Sequence, residues 1–152
     1  MAGGTASGKT EFATSYLTHK DQLIYDGTLK NFEGFQIKYK NIMKYTKGKA
    51  KVKVILVMPV SFEDSFKIFL NRKRKMKVET FFDTQIRSRK TVARILLETN
   101  VRVDIYSSSY NARKDKLEYL KVNKPSRKSK AKILLYISDQ YKIKQRLHNT
   151  DK

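Results

Sequence analysis

The sequence predicts an α/β fold in three layers, with a mainly parallel sheet between helices. Residues 51–59 (KVKVILVMP) form a continuous apolar, β-branched run, which is typical of a central parallel strand covered on both faces. Shorter apolar runs at 23–27 and 101–106 alternate with segments whose apolar residues recur at helical spacing. Strands that alternate with helices in this way indicate a parallel sheet.

Helices are predicted where apolar stripes meet start and stop signals. Gly48 is a stop signal after the second helix, and Ser61 is typical of the residue that caps the start of the third. The predicted helices span residues 9–17, 33–45, 61–75, 87–98 and 132–147. Residues 117–122 are predicted as a short edge strand, and residues 76–86 and 123–132 as irregular segments.

Composition limits the classes of protein that fit. A chain of 152 residues is long enough for one domain with a modest core. No apolar stretch approaches the roughly 18 residues of a membrane span, and no signal-peptide pattern follows Met1. The absence of cysteine excludes disulfides, thiolate metal sites and a cysteine nucleophile, and His19 and His148 are too few for a histidine metal site. We expect a soluble cytoplasmic protein with no membrane partner.

The net charge is strongly positive. Thirty-four Lys and Arg against fourteen Asp and Glu give +20, far more than solubility needs. Such a charge favours phosphate-rich partners, either nucleotides or nucleic acid. A lysine-rich composition is also what an AT-rich coding sequence produces without selection for binding, so the charge alone leaves nucleic-acid binding open.

The most informative motif is a complete P-loop pattern, G-x-x-x-x-G-K-[ST], at the start of the chain. Its backbone N–H groups can cradle phosphate oxygens, and the helix that follows adds the positive end of its dipole. Lys9 would reach the β- and γ-phosphates, and the Thr10 hydroxyl would ligate Mg²⁺. The sequence therefore predicts a site for ATP and Mg²⁺ formed by Gly3, Gly4, Thr5, Ala6, Ser7, Gly8, Lys9 and Thr10.

The beginning of the fold is unusual for such a loop. A P-loop normally follows a buried strand whose end fixes the loop against the sheet. Only Met1 and Ala2 precede Gly3, so we expect the first strand to be missing and the sandwich to be truncated.

Two further groups of residues are candidates for chemistry. Asp26 and Thr28 lie at the carboxyl end of the predicted strand at 23–27, where ligands of open parallel sheets bind, so they are candidate substrate-binding residues. The alternative is an ordinary Asp-Gly turn. Phosphoryl transfer also needs cations on the migrating group. Arg72 and Arg74, with Arg87 and Arg89, flank the irregular segment and suggest a lid at about residues 72–90.

The segments MAGGTASGKTEFA, IYDGTLKNF, KVKVILVMPVSFEDSFKIFLNRKR and VRVDIYSSSYN resemble, in this order, those of zeta toxin-like P-loop kinases over roughly two-thirds of the chain. Well-known members of that family phosphorylate the sugar of UDP-N-acetylglucosamine with ATP. The resemblance implies that Gly8, Lys9 and Thr10 hold Mg²⁺–ATP. It also implies that Asp26 and Thr28 contact the acceptor, that Arg72, Arg74 or Arg87 act from the lid, and that an antitoxin protein is a partner.

The chain departs from the family between the P-loop helix and the IYDGTL strand. Family members carry there a strand that ends in the presumed catalytic aspartate, followed by a substrate-binding helical segment. Here only residues 18–22 occupy that interval, and the general base is not assigned. Two alternatives to an active kinase therefore remain: a catalytically impaired remnant that still binds nucleotide, and a basic RNA-binding protein.

Overall fold

The structure is a computed structural model and describes residues 1–4, 7, 9, 12–13, 27–70, 76–123 and 126–150, with the side chains at 64, 67 and 68 left aside. It is an α/β fold. Four helices are bounded in the described part of the chain: α1 (Phe32–Tyr45), α2 (Phe62–Leu70), α3 (Val78–Glu98) and α4 (Arg127–Thr150). The strands are β1 (Lys53–Pro59), β2 (Arg102–Asn111) and β3 (Lys116–Lys121).

The sheet is mixed, in the order β1-β2-β3. Strands β1 and β2 are parallel, with Lys53 opposite Arg102 and Pro59 opposite Ser108. Strands β2 and β3 form an antiparallel hairpin, which makes β3 the edge strand that the sequence predicts. The prediction of a mainly parallel sheet is therefore confirmed for β1 and β2 and wrong for β3. The predicted strand at 23–27 lies outside the described residues, apart from Gly27.

Strand β1 is buried on both faces, as its unbroken apolar run predicts. On one face, Leu56 packs in the main core with apolar residues of α1, α3 and α4. On the other face, Ile55 and Val57 pack with Phe12, which lies in a helical stretch after the P-loop motif. Helical residues thus lie on both sides of the sheet.

A second cluster, rich in aromatic rings, joins three helices beyond the sheet. Phe69 of α2, Phe81 and Phe82 of α3 and Tyr141 of α4 are all buried there. Phe69 and Phe81 have ring centroids 4.9 Å apart. This cluster fixes the first half of α3 against α2 and α4.

Two boundaries differ from the prediction. The prediction of an irregular segment at 76–86 is wrong, because α3 begins at Val78 and its first turns are buried in the aromatic cluster. The prediction of an irregular, basic loop at 123–132 is wrong from residue 127 onward, where α4 begins. There Ser126 caps α4, since its hydroxyl oxygen accepts a hydrogen bond from the Ser129 N–H at 3.1 Å. The Arg127 guanidinium then bonds to three carbonyls at the end of α3.

Candidate phosphate-binding loop

The residue before the loop takes the place of a strand beside β1. Ala2 N–H donates to the Ile55 carbonyl at 2.6 Å, and Val57 N–H donates to the Ala2 carbonyl at 3.0 Å. This is a single parallel bridge opposite Leu56. The expectation that no strand precedes the loop is corrected to this extent: one residue pairs as a strand would. Because the bridge is parallel, the loop leaves at the carboxyl end of β1, where open sheets bind ligands.

The first two loop residues leave no room for a Cβ: at Gly3 it would meet the backbone of β1, and at Gly4 it would require the Gln85 side chain to shift. Gly3 has a φ of +142°, and a Cβ there would lie 2.4 Å from the Val57 carbonyl oxygen. A Cβ on Gly4 would lie 2.3 Å from the side-chain amide carbon of Gln85. Gly3 also donates its N–H to the Thr28 carbonyl at 3.5 Å. The glycines therefore allow the loop to lie directly against β1 and α3.

Lys9 spans the start of the loop. Its ammonium donates to the carbonyls of Gly3, at 3.0 Å, and Gly4, at 3.1 Å. The residue is helical and partly buried, so its stem folds back from the helix over the glycines. A compact cation is thereby held within the loop that would take an anionic ligand.

Ser7 is held from two other elements. Ser108, at the carboxyl end of β2, donates its hydroxyl to the Ser7 carbonyl at 2.8 Å. Gln85 of α3 donates its amide to the Ser7 hydroxyl at 3.3 Å. All three side chains are buried. Gln85 and Ser108 were not among the predicted site residues. The serines at 107–109, which directly follow the predicted strand at 101–106, are the one signal that could have indicated Ser108.

Behind Gln85 lies a buried arginine. Arg89 is 1% exposed and donates from one terminal nitrogen to the Gln85 carbonyl at 2.8 Å and to its side-chain oxygen at 2.7 Å. Its guanidinium carbon lies 4.4 Å from the centroid of the Tyr141 ring. Burial lowers the pKa of Arg89 from its ordinary value, and the neighbouring Tyr141 partly offsets this. An arginine expected near a surface lid is thus a core residue.

Of the other predicted site residues, the structure describes Thr28 and Arg87. Thr28 is half-buried, and its carbonyl accepts the Gly3 N–H. Arg87 is exposed; it pairs with Asp83 of its own helix at 3.8 Å and donates to the Asn31 side chain before α1. Lying outside the described residues are Thr5, Ala6, Gly8, Thr10, Asp26, Arg72 and Arg74.

The lid prediction is corrected for its second half. Residues 78–90 belong to α3, which packs against the core through Phe81, Phe82 and Ile86, so they form no separate flap. The aromatic side chains supply the packing that fixes this segment. A role in phosphoryl transfer stays a prediction for Arg72, Arg74 and Arg87.

Two features are absent from the part of the chain that the structure describes. No group of three or more His, Asp or Glu side chains there could hold a metal ion. No helix there is long and apolar enough to cross a bilayer. The chain also matches no family model, no curated protein and no solved structure.

Proposed function

We propose that the loop Gly3–Thr10 binds the phosphate tail of ATP with Mg²⁺, and that the chain is a reduced zeta toxin-like P-loop kinase. In this proposal it transfers the γ-phosphoryl group of ATP to a hydroxyl of a small molecule or a nucleotide sugar such as UDP-N-acetylglucosamine. The observation that carries the proposal is the position of the Lys9 ammonium, 3.0 and 3.1 Å from the carbonyls of the two glycines that open the motif.

The loop has the physical properties that phosphate binding requires. It begins at the carboxyl end of a buried parallel strand and leads into a helical stretch, so backbone N–H groups and the helix dipole favour an anion there. Buried contacts of Ser7 with Gln85 and Ser108 hold this residue from two neighbouring elements. A residue that is held before the ligand arrives loses little conformational entropy on binding.

Each residue has a role in the proposed reaction. Lys9 would hold the β- and γ-phosphates and offset the charge that develops during transfer. Thr10 would ligate Mg²⁺, and Mg²⁺–ATP supplies the phosphoryl group. Asp26 and Thr28 would position the acceptor. Its hydroxyl oxygen would bond to the γ-phosphorus and lose its proton to solvent, while the bond to the β-phosphate oxygen would break and ADP would leave. Arg72 and Arg74 would neutralise the migrating group.

Transfer of labelled γ-phosphate from ATP to UDP-N-acetylglucosamine tests the kinase proposal. We expect transfer by the native chain and none by Lys9→Ala, with Lys132→Ala as a control that removes an exposed lysine of α4. Absence of transfer to any hydroxyl acceptor, with retained ATP binding, would instead support the catalytically impaired remnant. Unchanged transfer by Asp26→Ala would contradict the role given to that carboxylate.

One observation favours the alternative of nucleic-acid binding. At the end of the sheet opposite the loop, Lys53, Arg102 and Lys121 all lie 3.2–3.7 Å from the Asp104 carboxylate. One carboxylate neutralises one of these three charges, so the group keeps an excess of positive charge. RNA affinity that falls steeply with salt, and that falls further in Lys121→Ala, would support this function; affinity that does not respond to salt would exclude it.

A further inference from the structure

Arg89 is the largest side chain that the structure buries almost completely. One of its terminal nitrogens makes two hydrogen bonds to Gln85. Its Nε and its other terminal nitrogen have no hydrogen-bond partner among the residues that the structure describes. None of the ion pairs found among the described residues involves Arg89; the cation contacts neutral groups only, an amide and the Tyr141 ring.

A buried cation without a counter-charge destabilises a fold. Removing a guanidinium from water has a large free-energy cost, and carboxylates normally offset it. Burial lowers the pKa of Arg89, but an arginine side chain stays protonated in proteins. The Tyr141 ring recovers only part of the cost. Packing alone therefore does not explain a charged residue at this position, where methionine would fill a similar volume.

The position of Arg89 relates it to the loop. The side-chain amide of Gln85 accepts a hydrogen bond from Arg89 through its oxygen, at 2.7 Å, and donates to the Ser7 hydroxyl through its nitrogen, at 3.3 Å. The same amide lies against Gly4, where a Cβ would collide with it. One amide group thus separates the guanidinium from the loop, within a buried region where charges interact strongly.

We propose that the counter-charge of Arg89 is the phosphate tail bound by the loop, so that this residue lowers the stability of the free protein and raises its affinity for polyphosphate. The proposal rests on the proposed nucleotide site and adds to it a positioning residue that acts through Gln85. Two consequences are distinctive. The effect of Arg89 increases with the charge of the ligand, and its replacement by an apolar side chain stabilises the free protein.

The test compares the native chain with Arg89→Met, Arg89→Lys and, as a control, Arg146→Met, which removes an exposed arginine of α4. Calorimetric titration gives the affinities for Mg²⁺–ATP and Mg²⁺–ADP, and thermal unfolding gives Tm with and without Mg²⁺–ATP. We expect Arg89→Met to have an equal or higher Tm without nucleotide and an ATP affinity lower by about tenfold or more, with a smaller loss for ADP. Arg89→Lys keeps the charge and binds ATP within a few-fold of the native chain.

Several results would overturn the proposal. Equal ATP affinities for the native chain and Arg89→Met would show that the charge does not act on the ligand. Equal affinities for the Lys and Met variants, or equal losses for ATP and ADP, would show that shape rather than charge matters. A lower Tm for ligand-free Arg89→Met would assign Arg89 a structural role. If the native chain itself binds no Mg²⁺–ATP, the proposed function fails, and that result is distinct from all of these.

Discussion

Replacing Gly3 with alanine tests the placement of the loop against β1. The substitution adds one methyl group at a φ of +142°, a region that residues with a Cβ rarely adopt. Holding such a residue there costs about 1–3 kcal/mol. The new Cβ would also lie 2.4 Å from the Val57 carbonyl oxygen. Val57 cannot move away easily, because it pairs with Ala2 on one side and lies opposite Tyr106 of β2 on the other.

Relief of that overlap adds a cost of about 1–3 kcal/mol. We therefore expect Gly3→Ala to lower the free energy of unfolding by about 2–6 kcal/mol, which is a large part of the 5–15 kcal/mol typical of a domain. Gly34→Ala is the matched control. Gly34 lies within α1, and its new Cβ would meet only the Asn31 Cβ, at an ordinary 3.7 Å. The same substitution there should stabilise the protein by about 0.5–1 kcal/mol.

Urea unfolding followed by circular dichroism gives both values, with the slope m checked for constancy. The opposite signs of the two alanine substitutions are the decisive feature. A Gly3→Ala protein within about 0.5 kcal/mol of the native chain would refute the close approach of the loop to β1.

Three further predictions concern the contacts that hold the site and its supporting elements. Ser108→Ala leaves the buried Ser7 carbonyl without its hydrogen-bond donor, so it should lower the free energy of unfolding in urea by about 1–3 kcal/mol. Ser109 is exposed on the same strand, and Ser109→Ala should change that free energy little. Equal effects of the two substitutions would contradict the contact. Arg127→Leu removes three hydrogen bonds at the end of α3, to the carbonyls of Ile95, Leu96 and Thr99, so it should lower the free energy of unfolding by about 1–3 kcal/mol. Lys128 is exposed, and Lys128→Leu should change that free energy very little. Burial raises the pKa of Asp104, but the hydrogen bond from Lys53 and the charges of Lys53, Lys121 and Arg102 hold it below its ordinary value. The stability that this carboxylate contributes should therefore be fully present above about pH 4 and be lost as the pH falls further. The difference in free energy of unfolding between the native chain and Asp104→Asn should become smaller in acid. A difference that does not depend on pH would contradict the network.

Most of the described fold follows from local patterns in the sequence. The apolar run that forms β1 needs no distant information, because a strand buried on both faces carries apolar side chains at nearly every position. The bounds of α1 agree with the apolar stripe and with the stop signal at Gly48, which lies just beyond the helix and has a φ of +76°. Strands β2 and β3 were also predicted, although β2 extends five residues past the predicted end at Tyr106.

The start of α3 could not be predicted because its buried face is partly polar. Thr84, Gln85, Ser88 and Arg89 are all buried, yet a reading of hydrophobic periodicity places such residues in solvent. Their burial depends on partners elsewhere in the fold, such as Ser7, 78 residues from Gln85, and Tyr141. The pairing of Ala2 with β1 is equally invisible in the sequence, since a strand of one residue has no period.

The candidate site also combines residues that the sequence predicts with residues that only the fold brings together. The P-loop motif is contiguous, so Gly3, Gly4, Ser7 and Lys9 were identified from their spacing alone. The residues that hold the motif, Gln85 and Ser108, come from two other elements and are separated from Ser7 by 78 and 101 positions. No local pattern relates them to the loop, and only the folded chain brings them to it.

The central claim is that the Gly3–Thr10 loop binds a nucleoside triphosphate. Calorimetric titration of Mg²⁺–ATP into the native chain, Lys9→Ala and the Lys132→Ala control tests it most directly. We expect saturable binding by the native chain and the control, and loss of binding in Lys9→Ala, because Lys9 supplies the cation held within the loop. Absence of binding to the native chain, or equal binding by Lys9→Ala, would contradict the claim.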